Sequence, residues 1–253
     1  MSLFSLQGKT ALVTGGAVGI GQGIAVALAQ AGANIAITTL GHEATETAQL
    51  VAASGVRFAT YQRNLAEMNA EGMKALIEQV ETDLGSVDIL VNNAGIIRRA
   101  NAEEFLDDDW NAVLELNLNS AWRLSRAAGQ KMLARGSGKI ISIASLLSFQ
   151  GGIRVPAYTA SKHAIAGLTK ALANEWANRG VTVNAIAPGY IETNNTQVLR
   201  DDPVRAKSIL ERIPAGRWGT PADLGGAAVF LASAAADYVN GHVLVVDGGW
   251  LAR

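Results

Sequence analysis

The sequence predicts an α/β fold built on one doubly wound, seven-stranded parallel sheet with helices on both faces. Seven short, apolar, β-branched runs recur along the 253 residues, and longer helical stretches separate them. No Pro/Gly/Ser-rich linker, low-complexity tract or internal repeat divides the chain, so residues 1–253 are expected to form a single domain. Strands that are apolar throughout, rather than alternating, are buried on both faces, and helices placed between them make the sheet parallel.

The expected strands are Thr10–Thr14, Asn34–Thr39, Val56–Thr60, Asp88–Asn92, Lys139–Ser145, Val181–Ile186 and Val243–Val246. Gly19–Gly32, rich in Ala, Leu and Gln, reads as the first helix. Ala70–Leu84 carries Met73, Leu76, Ile77, Val80 and Leu84 at the spacing of a half-buried helix. Asp107-Asp108-Asp109 reads as a helix start, where the dipole favours acids. A helical run opens at Tyr158 and continues to about Asn178; Trp110, Trp122 and Trp176 read as core or interface packing.

Composition removes several classes of function. The chain is 49% hydrophobic, too apolar for disorder. Its 21 Lys and Arg against 22 Asp and Glu leave a net charge of −1, without the basic face that binding nucleic acid requires. The charge is uneven: −6 through Arg126 and +5 after it. Solvated helix faces account for that, or a pocket for an anion in the later half. No cysteine is present, which excludes a disulfide scaffold, thiolate metal sites and a Cys nucleophile, and suits a reducing cytosol. No apolar stretch approaches the roughly 18 residues of a membrane span. Met1–Gln7 lacks a cationic segment followed by an apolar block, so a cytoplasmic protein is expected. His42, His163 and His242 are scattered without metal-ligand spacing, and no metal is expected. The absence of a G-x-S-x-G elbow disfavours an α/β hydrolase.

Three motifs carry chemistry. The first strand runs into Thr14-Gly15-Gly16-Ala17-Val18-Gly19-Ile20-Gly21, and a helix follows. Glycines there tighten the turn and admit a pyrophosphate to the helix N-terminus, which makes the sheet a Rossmann dinucleotide-binding fold. The fourth strand ends in Asn92-Asn93-Ala94-Gly95, small and amide residues at the crevice where such sheets bind ligands. Tyr158 and Lys162 stand at i and i+4 on one helix face, and Ser145 ends the fifth strand beside the same crevice. A nearby cation lowers the pKa of a phenol, and a Ser can hydrogen-bond a carbonyl; together they make a proton-transfer site.

These motifs, with Asn117 in the helix after Trp110, Pro188-Gly189-Tyr190-Ile191-Glu192-Thr193 and Val246-Asp247-Gly248-Gly249, resemble the short-chain dehydrogenases/reductases along essentially the whole chain. The resemblance implies that Tyr158 is the general acid/base, that Lys162 lowers its pKa and holds the nicotinamide ribose, and that Ser145 positions the substrate oxygen. It implies that Asn117 anchors a relay water. It places the cofactor on Gly15, Val18, Gly19, Ile20 and Gly21, on Thr39, Asn64 and Leu65, on Asn93, Ala94 and Gly95, and on Pro188, Gly189, Ile191 and Thr193. Thr39 stands where NAD-dependent members often carry Asp, and Asn64 where an Asp usually faces the adenine. Val18 and Leu40, where a cation for a 2′-phosphate is usual, are apolar. Arg63 is the one nearby cation that could swing toward such a phosphate. The expected cofactor is therefore NAD rather than NADP.

Several stretches, among them Ser148–Pro156, Thr193–Gln197, Ile213–Gly219 and Gly249–Arg253, are similar to the 2-deoxy-D-gluconate 3-dehydrogenases, a group that also acts as 2-dehydro-3-deoxy-D-gluconate 5-dehydrogenase. The resemblance implies a sugar-acid substrate, a substrate loop at about 190–215 and a homotetramer. Arg98, Gln150, Arg154 and Asn194 sit next to motif residues and could meet a carboxylate and hydroxyls. The apolar ending Trp250-Leu251-Ala252 gives a motive for burial against a neighbouring subunit. The alternatives are a gluconate 5-dehydrogenase, a 3-oxoacyl thioester reductase and a non-catalytic dinucleotide-binding regulator.

Overall fold

The computed structural model describes residues 3–253. Met1 and Ser2, part of the opening stretch read above for a secretion signal, lie outside the described residues. In chain order the elements are β1 (Thr10–Val13), α1 (Gly19–Gln30), β2 (Asn34–Thr39), α2 (Thr45–Ala52), β3 (Phe58–Gln62), α3 (Ala70–Leu84) and β4 (Val87–Asn92). They continue as α4 (Asp107–Leu114), α5 (Ser120–Arg135), β5 (Gly138–Ile143), α6 (Pro156–Trp176) and β6 (Val181–Pro188). The last are α7 (Asn194–Arg200), α8 (Pro203–Leu210), α9 (Gly225–Ala232) and β7 (Val243–Val246). The strands form one parallel sheet in the order β3-β2-β1-β4-β5-β6-β7. The order reverses between β1 and β4, and the carboxyl ends of these two strands open the crevice in which such sheets hold ligands.

Alternation along each strand feeds two apolar layers. In β1, Ala11 and Val13 pack with Ile24, Leu28 and Ala228 of α1 and α9. Leu12 packs on the other face with Met73, Leu76 and Leu124 of α3 and α5, and Leu172 and Trp176 of α6 complete that layer. Trp176 lies over Gly129, where a Cβ would stand 2.7 Å from the indole ring. Trp110 and Trp122 depart from core packing: each is 37% exposed, and the Arg126 guanidinium lies 5.6 Å from the Trp122 ring centroid. Trp250 is buried within its own chain among Tyr190, Ile209, Ile213 and Trp218, so the motive for covering it with a neighbour falls away.

The boundaries moved where pairing outweighed composition. β3 begins two residues later than Val56, because its register is set by pairing Phe58 with Ile35 and Gln62 with Thr39. Val56 packs against the core from the preceding loop instead. β5 stops at Ile143, leaving Ser145 beyond the strand, whereas β6 runs on to Pro188 opposite Val246. α6 starts at Pro156, which is suited to a first helical turn because its missing N–H would find no partner there.

Candidate active site

The turn between β1 and α1 is held in a left-handed path at Gly15 (φ 63°) and Gly19 (φ 58°). A Cβ on Gly21 would stand 2.2 Å from the Gly15 carbonyl oxygen and 2.5 Å from Asn93 Nδ2, so only glycine fits. The end of β4 stitches this turn in place. Thr14 Oγ1 accepts the N–H groups of Asn93 and Ala94, both at 2.9 Å. Asn93 Nδ2 donates to Thr14 O at 2.8 Å and Gly15 O at 3.1 Å. The Asn93 side chain thus shapes the turn. Val18, extended and without a side-chain cap, precedes α1, and the first turn (which includes Ile20) carries no acid. The N–H groups of that turn, at the positive end of a 12-residue helix, suit an anionic diphosphate. Across the cleft, Gly19 faces Thr193, whose Cγ2 would lie 3.5 Å from a Cβ at that glycine.

At the adenosine end the polar groups are engaged with one another. The Thr39 hydroxyl donates to His42 O at 2.7 Å, which leaves its oxygen to accept from a ribose hydroxyl. Asn64 Oδ1 accepts the Ala66 N–H at 3.2 Å, and Leu65 beside it is buried. Arg63 donates to Gln62 O at 2.8 Å and Gln79 Oε1 at 2.9 Å, while Val18 and Leu40 are exposed apolar residues. On the nicotinamide side, Pro188 ends β6, and a Cβ at Gly189 would stand 2.6 Å from Asp247 Cα. The Ile191 side chain is buried and its carbonyl accepts the Thr196 hydroxyl at 2.6 Å.

Asn117, Ser145, Tyr158 and Lys162 converge at the carboxyl ends of β4 and β5. Lys162 Nζ lies 5.4 Å from the Tyr158 ring centroid and donates to Ile143 O at 2.5 Å. Ser145 caps the turn after β5, accepting the Leu147 N–H at 3.2 Å, and hydrogen-bonds the Tyr158 phenol. Asn117 lies in the helix after Trp110, within a π-turn, residues 115–119, that joins α4 to α5. Its Oδ1 accepts the Ile96 N–H at 2.8 Å, and its Nδ2 donates to Ile96 O at 3.0 Å and Ser161 Oγ at 3.3 Å. Ser161 Oγ in turn donates to Tyr158 O at 2.8 Å, so Asn117 ties the loop after Gly95 to the turn that carries the phenol. Burial pushes the phenol above its ordinary value of 10, while the Ser145 hydrogen bond and the Arg99 charge pull the other way. Burial also pushes the Lys162 ammonium down to about 8. The expected lowering of the phenol by Lys162 is therefore not the outcome here. The ammonium is anchored on the Ile143 carbonyl, and desolvation outweighs the attractions.

Beside Ser145 and Tyr158 opens a cavity of about 350 Å³, lined also by Gln150, Tyr190, Trp250 and three arginines, Arg99, Arg205 and Arg212. Of the expected substrate residues only Gln150 lines it. Arg98 is turned away in an ion pair with Asp109 at 3.1 Å. Arg154 is exposed at φ 64°, and its carbonyl accepts the Ala100 N–H at 3.2 Å. Asn194 opens α7 outside the lining. The three lining arginines were missed, although Arg205, Ser208 and Ile209 have the i, i+3, i+4 spacing of a single helix face.

A reversed-order parallel sheet, a glycine turn at a bare helix start and a Ser-Tyr-Lys cluster beside it define a short-chain dehydrogenase/reductase. The chain matches the family model described as enoyl-(acyl carrier protein) reductase over residues 15–251, and it belongs to that family. It is similar over its length to the 2-dehydro-3-deoxy-D-gluconate 5-dehydrogenase of Bacillus subtilis strain 168, with 60% identity covering 99% of this chain and 97% of the relative. The protein of the same description from Escherichia coli strain K12 is 55% identical, covering 100% and 99%. Among solved structures, a gluconate 5-dehydrogenase from Burkholderia cenocepacia J2315 in complex with NADP and tartrate has a TM-score of 0.92 at 41% identity, covering 99% of this chain and 98% of that one.

Proposed function

We propose that this protein transfers a hydride between a nicotinamide cofactor and a secondary alcohol or ketone of a sugar acid such as 2-dehydro-3-deoxy-D-gluconate. The observation that carries the reading is a single cavity bordered by Ser145 and Tyr158 on one side and by three arginines elsewhere. Three arginines with Gln150 suit a carboxylate with several hydroxyls. The cofactor, bound along the glycine turn, Thr193 and Lys162, supplies the hydride acceptor or donor. In the oxidation direction the Tyr158 phenolate takes the hydroxyl proton of the substrate and returns it in reduction. The Ser145 hydroxyl hydrogen-bonds the substrate oxygen, and the Arg99 charge favours the phenolate. Asn117 holds the loop after Gly95 and the phenol-bearing turn in register, and its π-turn backbone provides the water site of the relay. Following NADH absorbance with 2-dehydro-3-deoxygluconate, gluconate and an acetoacetyl thioester tests the reading. Turnover of the thioester alone would overturn it.

NAD is the preferred cofactor in this reading. A 2′-phosphate would meet Val18, Thr39 and Leu40, with Arg63 held on Gln62 and Gln79. Without a fixed cation, kcat/KM favours NAD by at least about tenfold, roughly 1.4 kcal/mol. The B. cenocepacia relative holds NADP, so the comparison is to be made with both cofactors on one sample. Equal efficiency would refute the preference, and loss of the NADP rate alone in Arg63→Ala would identify the cation.

The functional unit is a homotetramer in a cytoplasmic setting. The family resemblance supports the assembly, and exposed Leu106, Trp110 and Trp122 on α4, α5 and the loop before them supply apolar surface for it. The cysteine-free composition supports the location. Light scattering that returned the single-chain mass of 26.4 kDa would refute the assembly, and cell fractionation tests the location.

A further inference from the structure

The three arginines of the cavity are not equivalent. Arg99 Nη2 donates to Asn195 O at 3.0 Å, which ties the loop after β4 to α7. Arg205 shares one face of α8 with Ser208 and Ile209, and Arg212 lies two residues beyond the end of that helix. The Arg212 guanidinium stacks 4.1 Å over the Trp250 ring, and that ring lies 4.7 Å from Tyr190, so the plane of its fork is fixed. Among the described residues neither Arg205 nor Arg212 forms an ion pair, whereas Arg98 and Arg217 are neutralised by Asp109 and Asp223. The charges also act on different groups: that of Arg99 on the Tyr158 phenol, and those of Arg205 and Arg212 on Tyr190.

Resting on the sugar-acid reading above, we propose that Arg205 and Arg212 form the subsite that holds the substrate carboxylate: both line the cavity, neither is paired with an acid among the described residues, and the Arg212 fork is held in plane by the Trp250 ring. Arg99 latches the α7 segment and does not hold the carboxylate.

The test compares wild type, Arg205→Met, Arg212→Met, Arg205→Lys and Arg99→Met on a sugar acid and on its uncharged carboxamide. Fluorescence titration of NADH reports folding and cofactor binding independently of turnover. Wild type is expected to prefer the acid over the amide by at least tenfold. Arg205→Met and Arg212→Met each raise KM for the acid about tenfold and erase the preference, Arg205→Lys retains part of it, and NADH affinity stays. If Arg212→Met loses NADH binding through the lost stack, Arg205→Met decides alone. Preference kept in Arg205→Met or preference erased by Arg99→Met would overturn the proposal. A wild type inactive on every sugar acid would instead overturn the functional reading beneath it.

Discussion

Thr14 joins the glycine turn to the end of β4, and Thr14→Val isolates what that joint contributes. The side chain is 2% exposed, and its oxygen accepts two backbone N–H groups at 2.9 Å while donating to Val91 O at 3.3 Å. Valine keeps the shape and removes the acceptor. Two amides then lose their partner, at about 1–3 kcal/mol each when water cannot replace it. Both amides are partly buried, so the lower half of that range applies, and the added methyl returns about 0.8 kcal/mol. The net loss is about 1–3 kcal/mol, or roughly 2–10 °C in Tm for a chain of this size. Thr14→Ser is the matched control: it keeps the oxygen, drops the methyl and costs about 1 kcal/mol. Urea and thermal unfolding followed by circular dichroism, with NADH titration of the tryptophan fluorescence, read both effects. Valine should be the less stable of the two variants and the weaker in NADH. A valine variant matching serine on both readouts would refute the reasoning.

Tyr158→Phe keeps the ring and removes the proton carrier, so kcat should fall by about 10² or more with NADH affinity retained; near-normal turnover in a stopped-flow assay rules out the role. Lys162→Met tests the buried ammonium. Its folded pKa of about 8 lies below the ordinary 10.5, so the penalty stands in full below pH 8 and fades as pH rises to 10.5. Wild type should therefore gain on Lys162→Met by up to about 3 kcal/mol across that window, and a pH-independent difference in unfolding free energy contradicts the shift. Gly21→Ala gains about 1 kcal/mol of helix propensity but pushes a methyl against the Gly15 carbonyl, so NADH binding should weaken at least tenfold; wild-type affinity would show that the turn can yield.

The sheet was legible because burial on both faces demands continuous apolar strands, which composition alone displays. β7 falls on Val243–Val246 and α3 on Ala70–Leu84 as their patterns require. β3 was displaced because its register depends on β2, more than 20 residues away, and nothing local distinguishes Val56 from Phe58. The π-turn at Asn117 was hidden for a related reason. One extra residue in a helical turn leaves the surrounding periodicity intact, and here it is stabilised by the Ile96 backbone and Ser161, both remote in sequence. Ser145 was assigned to the right place on the wrong element, since the strand ends two residues before it.

The arginines show where such reading stops. An excess of +5 in the later half was compatible with an anion pocket, and two of the three lining arginines, Arg205 and Arg212, come from that half. Arg98 and Arg99 are neighbours of identical chemistry, yet one is paired with an acid and the other lines the cavity. In extended chain, adjacent side chains point to opposite sides, so a single step decides between surface and site. Which way the pair is turned depends on Asp109 on α4, which captures Arg98, and on the Asn195 carbonyl at α7, which captures Arg99. Neither partner is local. A long arginine chain costs up to about 2 kcal/mol of rotamer freedom to immobilise, so the residue with a partner becomes fixed and its neighbour follows the backbone. Chemistry read from residue type locates the pocket, whereas the residue that serves it is chosen by contacts that only the folded chain creates.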